Sequence, residues 1–298
     1  LIKTVPKAGK VAKVGQNKSL GTTEWTLSNG VKVVFKPTTF KKDEILLSAY
    51  SDGGLSKVNV ADLPSGVLAS GIVSNNGLGD YSSIDLGKIL TGKIASVSPW
   101  IDGYKEGFTG NSSVSDFETM MQLVYLNFTA PRKDDNAFTA MMNGYRASLA
   151  NSATDPRKAF SDSVNKTITS HSPRTTIVDL KMMDLVNQDK ALAIFKERFA
   201  MPADFTFIFT GNIDPANEAT KKAICTYLGG LKTKVGTEKY TDNNIRRPKG
   251  KVNNYFTKDM KVKKASNFIV YTAAMPYNLT NRTMMTAIGN ILNIRYLE

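Results

Sequence analysis

Between Ser115 and Pro131 the residues Phe117, Met120, Met121, Val124, Tyr125 and Phe128 recur at helical spacing, and Ser115 with Glu118 has the form of a capping box. Two more stripes follow directly. Phe138, Met141, Met142, Tyr145 and Leu149 mark a helix over about 134–150, and Phe160, Val164 and Ile168 mark one that begins at Pro156. Stripes of Met and aromatic residues at this spacing are core faces, and three in succession need a broad apolar platform to bury them.

That platform is written upstream as strand patterns. The run from Thr23 to Pro37 carries two β-favouring stretches around Asn29-Gly30, a strong hairpin signal, and Ile45 to Tyr50 adds a strand before Gly53-Gly54. Asp62 is placed to cap a helix that runs through Val73 and stops at Gly77, with Pro64 in its first turn. Ser82 to Asp85 repeats a capping pattern ahead of Leu86, Ile89 and Leu90, and Ile94–Ser98 and Tyr104–Gly110 read as strands. After the helical block come a helix marked by Ala191, Ile194, Phe195 and Phe199, a strand over 204–211, and a helix from Pro215 to Leu228. Strands, then helices, then one last strand and helix give an α+β domain over about 21–230.

Residues 1–20 read as a linker or edge segment, and 231–251 as a basic, solvated linker. The pattern then restarts over 252–298, with a strand near 252–258, another over 267–274 and a helix from Thr280 onward, as the start of a second domain. About 50 residues bury too little surface for a core of their own, so the sequence is expected to stop inside a domain. It does not begin with Met, and any targeting segment is expected upstream.

No apolar run approaches the ~20 residues of a membrane-spanning helix. The 39 Lys and Arg against 26 Asp and Glu give a formal charge of +13. The cations crowd into presumed loops with no interleaved aromatics, so no nucleic-acid partner is expected. Cys225, the one cysteine, shares helical spacing with Ile224 and Leu228 and reads as a buried thiol.

Catalytic motifs are sparse. A His-pair zinc site needs two imidazoles one helical turn apart, and His171 is the chain's one histidine. Its neighbours Ser170 and Ser172 sit in a loop-like SHSPR context that does not turn them toward it. Ser163 and Lys166 match S-x-x-K, but the companion S-D-N and K-T-G motifs are absent. Gly77 and Gly79 lack the third glycine and the preceding strand of a dinucleotide loop. Asp116, Glu118, Asp134 and Asp135 lie at helix starts, where carboxylates stabilise exposed N–H groups.

Three segments in order carry a resemblance: Leu90 to Glu118, ETMMQLVYLNFTAPR over Glu118–Arg132, and FKERFAMPADFTFIFTGNID over Phe195–Asp214. Together they resemble the pitrilysin/insulinase zinc peptidases, particularly the second half of the long bacterial members, over about residues 21–298. The resemblance implies a mixed or antiparallel sheet covered by helices on one side, duplicated along a parent chain whose domains enclose a chamber. In the family's active half an H-x-x-E-H helix supplies two zinc ligands and a general base. The equivalent stretch here, Asp62 to Asp80, contains neither His nor Glu. A later family motif that contacts substrate lies beyond NILNIRYLE, and Arg295 and Tyr296 are not assigned to it.

The expectation is therefore a non-catalytic part of a zinc endopeptidase, inactive alone, with no catalytic, metal or cofactor residue of its own and with zinc in the parent protein. Its partners would be the catalytic half of the same parent chain and unfolded peptide substrate. The resemblance implies a periplasmic or envelope setting. The alternative is a scaffold or partner subunit derived from an inactive family member.

Overall fold

The computed structural model describes residues 1–152, 154–234, 236–258 and 263–297. Residues 153, 235, 259–262 and 298 lie outside that description, the last five within the predicted second unit.

Seven strands form one sheet: β1 (Val11–Asn17), β2 (Thr22–Leu27), β3 (Lys32–Pro37), β4 (Ile45–Asp52), β5 (Ala95–Ile101), β6 (Lys105–Ser112) and β7 (Thr206–Gly211). Their spatial order is β1-β2-β3-β7-β4-β6-β5, with β3 and β7 parallel and every other pair antiparallel. The Asn29-Gly30 turn joins β2 to β3 as expected, with Gly30 at φ 90°. The Asn29 amide also donates to the carbonyls of Leu228 and Leu231, tying this turn to the far end of the unit.

β4 explains the layering. Ile45, Leu47, Ala49 and Ser51 are buried while Leu46, Ser48 and Tyr50 are exposed, so helices cover one face and the other is open. Two helices, α1 (Leu63–Asn76) and α3 (Phe117–Thr129), lie against the sheet. The short α2 (Ser83–Ile89) is capped by Ser82, which accepts from the Asp85 N–H. Outside α1 pack α4 (Asp135–Ser152), the unforeseen α6 (Leu180–Leu185) and α7 (Gln188–Arg198). The closing helix is split into α8 (Glu218–Ala223) and a π-helical turn, Ile224–Leu228.

The core is aromatic. Phe108 of β6 packs against Phe128 of α3 and Phe199 after α7, at centroid separations of 5.1 and 4.8 Å, and Phe195 stacks on Phe199. Phe205, Phe207 and Phe209 are completely buried beside them.

Local expectations are corrected in several places. Asp62 stands before α1 but makes no side-chain capping bond, its carboxylate accepting from Lys190 instead. Ser115 makes no capping bond to α3. The Ser113 hydroxyl accepts from the Asp116 N–H, the Asp116 carboxylate accepts from Ile94 N–H, and Glu118 accepts from the Tyr227 hydroxyl. The stripe of α4 is core only at Met142, because α4 lies in the outer layer, and that of α5 (Pro156–Ile168) has no fully buried residue. The strands expected over 252–258 and 267–274 are irregular, since among the described residues no strand pairs with them, and α9 (Leu279–Leu297) follows them with Leu279, Met284, Ile288, Ile291 and Ile294 exposed. The segment 231–251 is anchored rather than free, as described below.

Candidate functional site

α1 stands where the resemblance puts a zinc-binding helix. Its buried positions are Leu63, Ser65, Gly66, Ala69, Ile72, Val73 and Asn76, so the pairs one turn apart include Ser65 with Ala69, Ala69 with Val73 and Ile72 with Asn76. The Ser65 hydroxyl accepts the Asn187 N–H at 2.9 Å, and Ala69 presents a methyl to the core. None of the buried residues is a His, Cys, Asp or Glu that could ligate zinc as an imidazole or carboxylate would, and Gly66 is closed in by the Leu55 side chain. Zinc therefore does not fit the residues of this helix. Among the described residues no group of His, Cys, Asp or Glu is arranged to hold a metal ion.

The strongest electrostatics lie at the entrance to α1, in the loop from Gly53 to Val58. Glu106, on β6 at the same inward parity as Phe108, is only 1% exposed and accepts the Gly54 N–H. Burial pushes its carboxyl up to about 8, against the opposing effects of the Gly54 hydrogen bond and the Arg198 charge. Arg198, at the end of α7, is also buried and grips Glu238 through Nη1 at 2.7 Å and Nη2 at 3.2 Å. Burial works against its charge, but Glu238 and the field of Glu106 hold its pKa above the usual value. Its Nε finds no acceptor among the described residues.

Backbone geometry explains why two glycines stand here. A Cβ on Gly53, at φ 143°, would meet Arg198 Nη1, and one on Gly54, at φ 55°, would meet the Asp102 carbonyl. The loop is held from other sides too. Leu55 and Ser56 N–H groups donate to the Asp102 and Gly103 carbonyls, and Arg174 donates to the carbonyls of Leu55 and Val58.

The segment after the domain is drawn across this junction. Glu238 N–H donates to Asp204, whose carboxylate also accepts from Ser51; Thr241 N–H donates to Ser56 Oγ; and Asn243 donates to the Ser56 carbonyl. Tyr240 packs edge-on against Tyr104. Further along, Ser170 donates to the Arg246 carbonyl, Arg247 to the Ile168 carbonyl, and Asn254 to Ser163 and Thr167. These contacts can orient and restrain. They include no nucleophile beside a base, and Glu106 is sealed from solvent.

The candidates singled out by motif stay apart. His171 is exposed in left-handed backbone at φ 55°, while Ser170 and Ser172 are engaged with Arg246 and Arg174. Ser163 is bonded to Asn254, and Gly77 and Gly79 shape the turn after α1. Asp134 caps α4 through the Ala137 N–H, and that bond holds its carboxyl below the usual range. Cys225 is buried, with its thiol pKa raised by burial. Tyr296 meets Tyr271 hydroxyl to hydroxyl at 3.2 Å, and Arg295 lies on the same exposed helix. Sequence reading missed Glu106, Arg198, Glu238 and Arg174. Glu106 alone left a local trace, as a carboxylate sharing strand parity with Phe108.

The open sheet face is the other surface of note. Ser48, Thr109 and Ser98 lie opposite one another across β4, β6 and β5, beside Ile208. Two residues along each strand, Trp100 covers Gly107, where a Cβ would collide with the indole, and Lys105 sits 4.5 Å from the Tyr50 ring centroid. It is a polar, hydroxyl-rich wall.

No family model matches the chain. It is 28% identical over 234 residues to a zinc protease PQQL-like protein of Arabidopsis thaliana, covering 78% of this chain and 22% of that protein. Among solved structures it resembles the periplasmic protease PqqL from Escherichia coli, with TM-score 0.69, 20% identity, and coverage of 83% of this chain and 27% of that one. It also resembles a peptidase M16 inactive domain from Pseudomonas fluorescens, with TM-score 0.56, 16% identity, and coverage of 74% and 54%. The chain spans about a quarter or less of the length of the curated relatives it matches.

Proposed function

We propose that this chain, a pitrilysin/insulinase (M16) family segment, is a non-catalytic part of a zinc-dependent endopeptidase that walls a chamber and contacts unfolded peptide. The observation that carries this reading is α1. The helix lies against the sheet while its buried face offers no His, Cys, Asp or Glu, and its buried serine, Ser65, is already hydrogen-bonded to the Asn187 N–H. A fold preserved around a helix without ligands serves by shape and surface, and the polar open sheet face is the surface we assign to the chamber.

In this reading residues 21–230, with β1 as the edge strand before them, form one family domain, 231–251 connect it to the next, and 252–298 begin that next domain. Hydrolysis belongs to another part of the parent protein, where zinc would activate water for attack on a peptide carbonyl. No step of that chemistry passes through residues of this chain. The Escherichia coli relative described as periplasmic supports a periplasmic or envelope setting.

The test uses the purified chain and its parent side by side on an unfolded, quenched-fluorescence peptide. We expect no turnover from the chain alone, and chelator-sensitive turnover from the parent. Chelator-sensitive activity that scales with this chain would overturn the assignment. A parent sequence without H-x-x-E-H would favour the scaffold reading instead.

A further inference from the structure

The cations of 246–249 read as a solvated linker in sequence, yet the structure holds them in place. They line a cleft of about 960 Å³ between the turn at 169–173, the anchored segment 243–249 and residues 272–274. Arg246 is spent on Asp242, which it grips through both terminal nitrogens. Arg247 gives one N–H to the Ile168 carbonyl at the end of α5, and it and Lys249 have no carboxylate partner among the described residues. Ser172 already accepts from the Arg174 N–H, which leaves its own O–H to donate. Ser170 and Asn244, both in left-handed backbone, complete a polar wall.

We propose that this cleft binds acidic stretches of unfolded peptide, so that the domain selects substrate by charge as well as by exclusion. The idea rests on the peptide-contact reading above and adds a substrate class to it. Two arguments support it. The cations sit on a segment pinned by Glu238, Thr241, Asn243 and Arg247, so little conformational entropy is lost when a carboxylate docks. A guanidinium fork, an ammonium and a free hydroxyl within one cleft match side-chain carboxylates. Among the described residues no aromatic ring lines the cleft, which removes the stacking platform that single-stranded nucleic acid uses.

The experiment measures fluorescence anisotropy of unstructured Glu/Ser, Gln/Ser and Lys/Ser peptides of equal length, with duplex DNA as a fourth probe, on the full chain. The Glu peptide is expected to bind about tenfold tighter than the Gln peptide and to weaken as salt rises from roughly 0.05 to 0.3 M. Substituting Arg247→Glu with Lys249→Glu should abolish that advantage. Lys249→Glu alone, which breaks no hydrogen bond, should lower it several-fold, and Lys13→Glu on β1 should leave it unchanged. Equal affinity for the Glu and Gln peptides, an advantage that survives the double substitution, or tighter binding of duplex DNA would each overturn the proposal while leaving the peptide-contact reading standing. Failure of every peptide to bind would instead overturn that reading.

Discussion

Two regions with similar apolar vocabularies end in opposite environments. In the sheet unit, Phe108, Phe205, Phe207 and Phe209 are fully buried; in the segment after it, Phe256, Phe268, Val270, Ile288, Ile291 and Ile294 face solvent. Strand-like residues alone did not make strands over 252–258 and 267–274. A ladder forms only where a second strand accepts its hydrogen bonds, and β7 obtained two such neighbours by entering between β3 and β4. Burial follows from the partner more than from the residue.

The widest gap between the regions should appear in their response to truncation. Phe209→Ala is expected to cost about 3–5 kcal/mol by cavity formation, whereas Ile291→Ala should change urea unfolding by less than about 0.5 kcal/mol. Similar losses at both positions would mean that α9 packs against something in solution.

Ion pairs sharpen the same contrast. Arg198→Met strands Glu238 and removes the cation whose charge acts on buried Glu106, so a loss of about 3 kcal/mol is expected, with faster amide exchange over 238–243. Arg246→Met, which breaks an exposed pair, should leave the melting temperature unchanged within error.

A smaller and pH-dependent effect is expected at Glu106. Its folded pKa, about 8, lies above the ordinary 4.5, so between those values the native state holds a proton that the unfolded chain has released. Stability from this group is complete below about pH 4.5, declines as pH rises, and levels off above about 8. Glu106→Gln keeps the neutral shape and should gain about 1–3 kcal/mol over the parent near pH 9 while matching it near pH 4.5. An unchanged difference across that range, followed by thermal melts, would show that Glu106 is ionised in the fold.

Locally encoded features were the ones open to reading from residues. The Asn29-Gly30 hairpin, the Gly77 stop of α1 and the Ser82 cap of α2 each depend on a few neighbouring positions. The capping box at Ser115 failed although its spacing was right, because Ser113 offered Asp116 N–H an acceptor and Tyr227, more than a hundred residues away, took Glu118. The contacts of the segment 231–251 were hidden for a similar reason. Glu238, Thr241 and Asn243 look like solvated loop residues until Arg198, Asp204 and Ser56 are brought alongside them.

What the sequence determined by itself is the lack of a His-pair zinc site, since one histidine cannot supply two ligands however the chain folds. It also determined the positions of most helices, because spacing and capping act over a single turn. Tertiary structure alone decided that β7 lies between β3 and β4, that burial pushes the Glu106 carboxyl up to about 8, and that the charged segment 231–251 is hydrogen-bonded across the end of the sheet unit. Those outcomes depend on which distant groups share a low-dielectric space, and no local pattern carries that information.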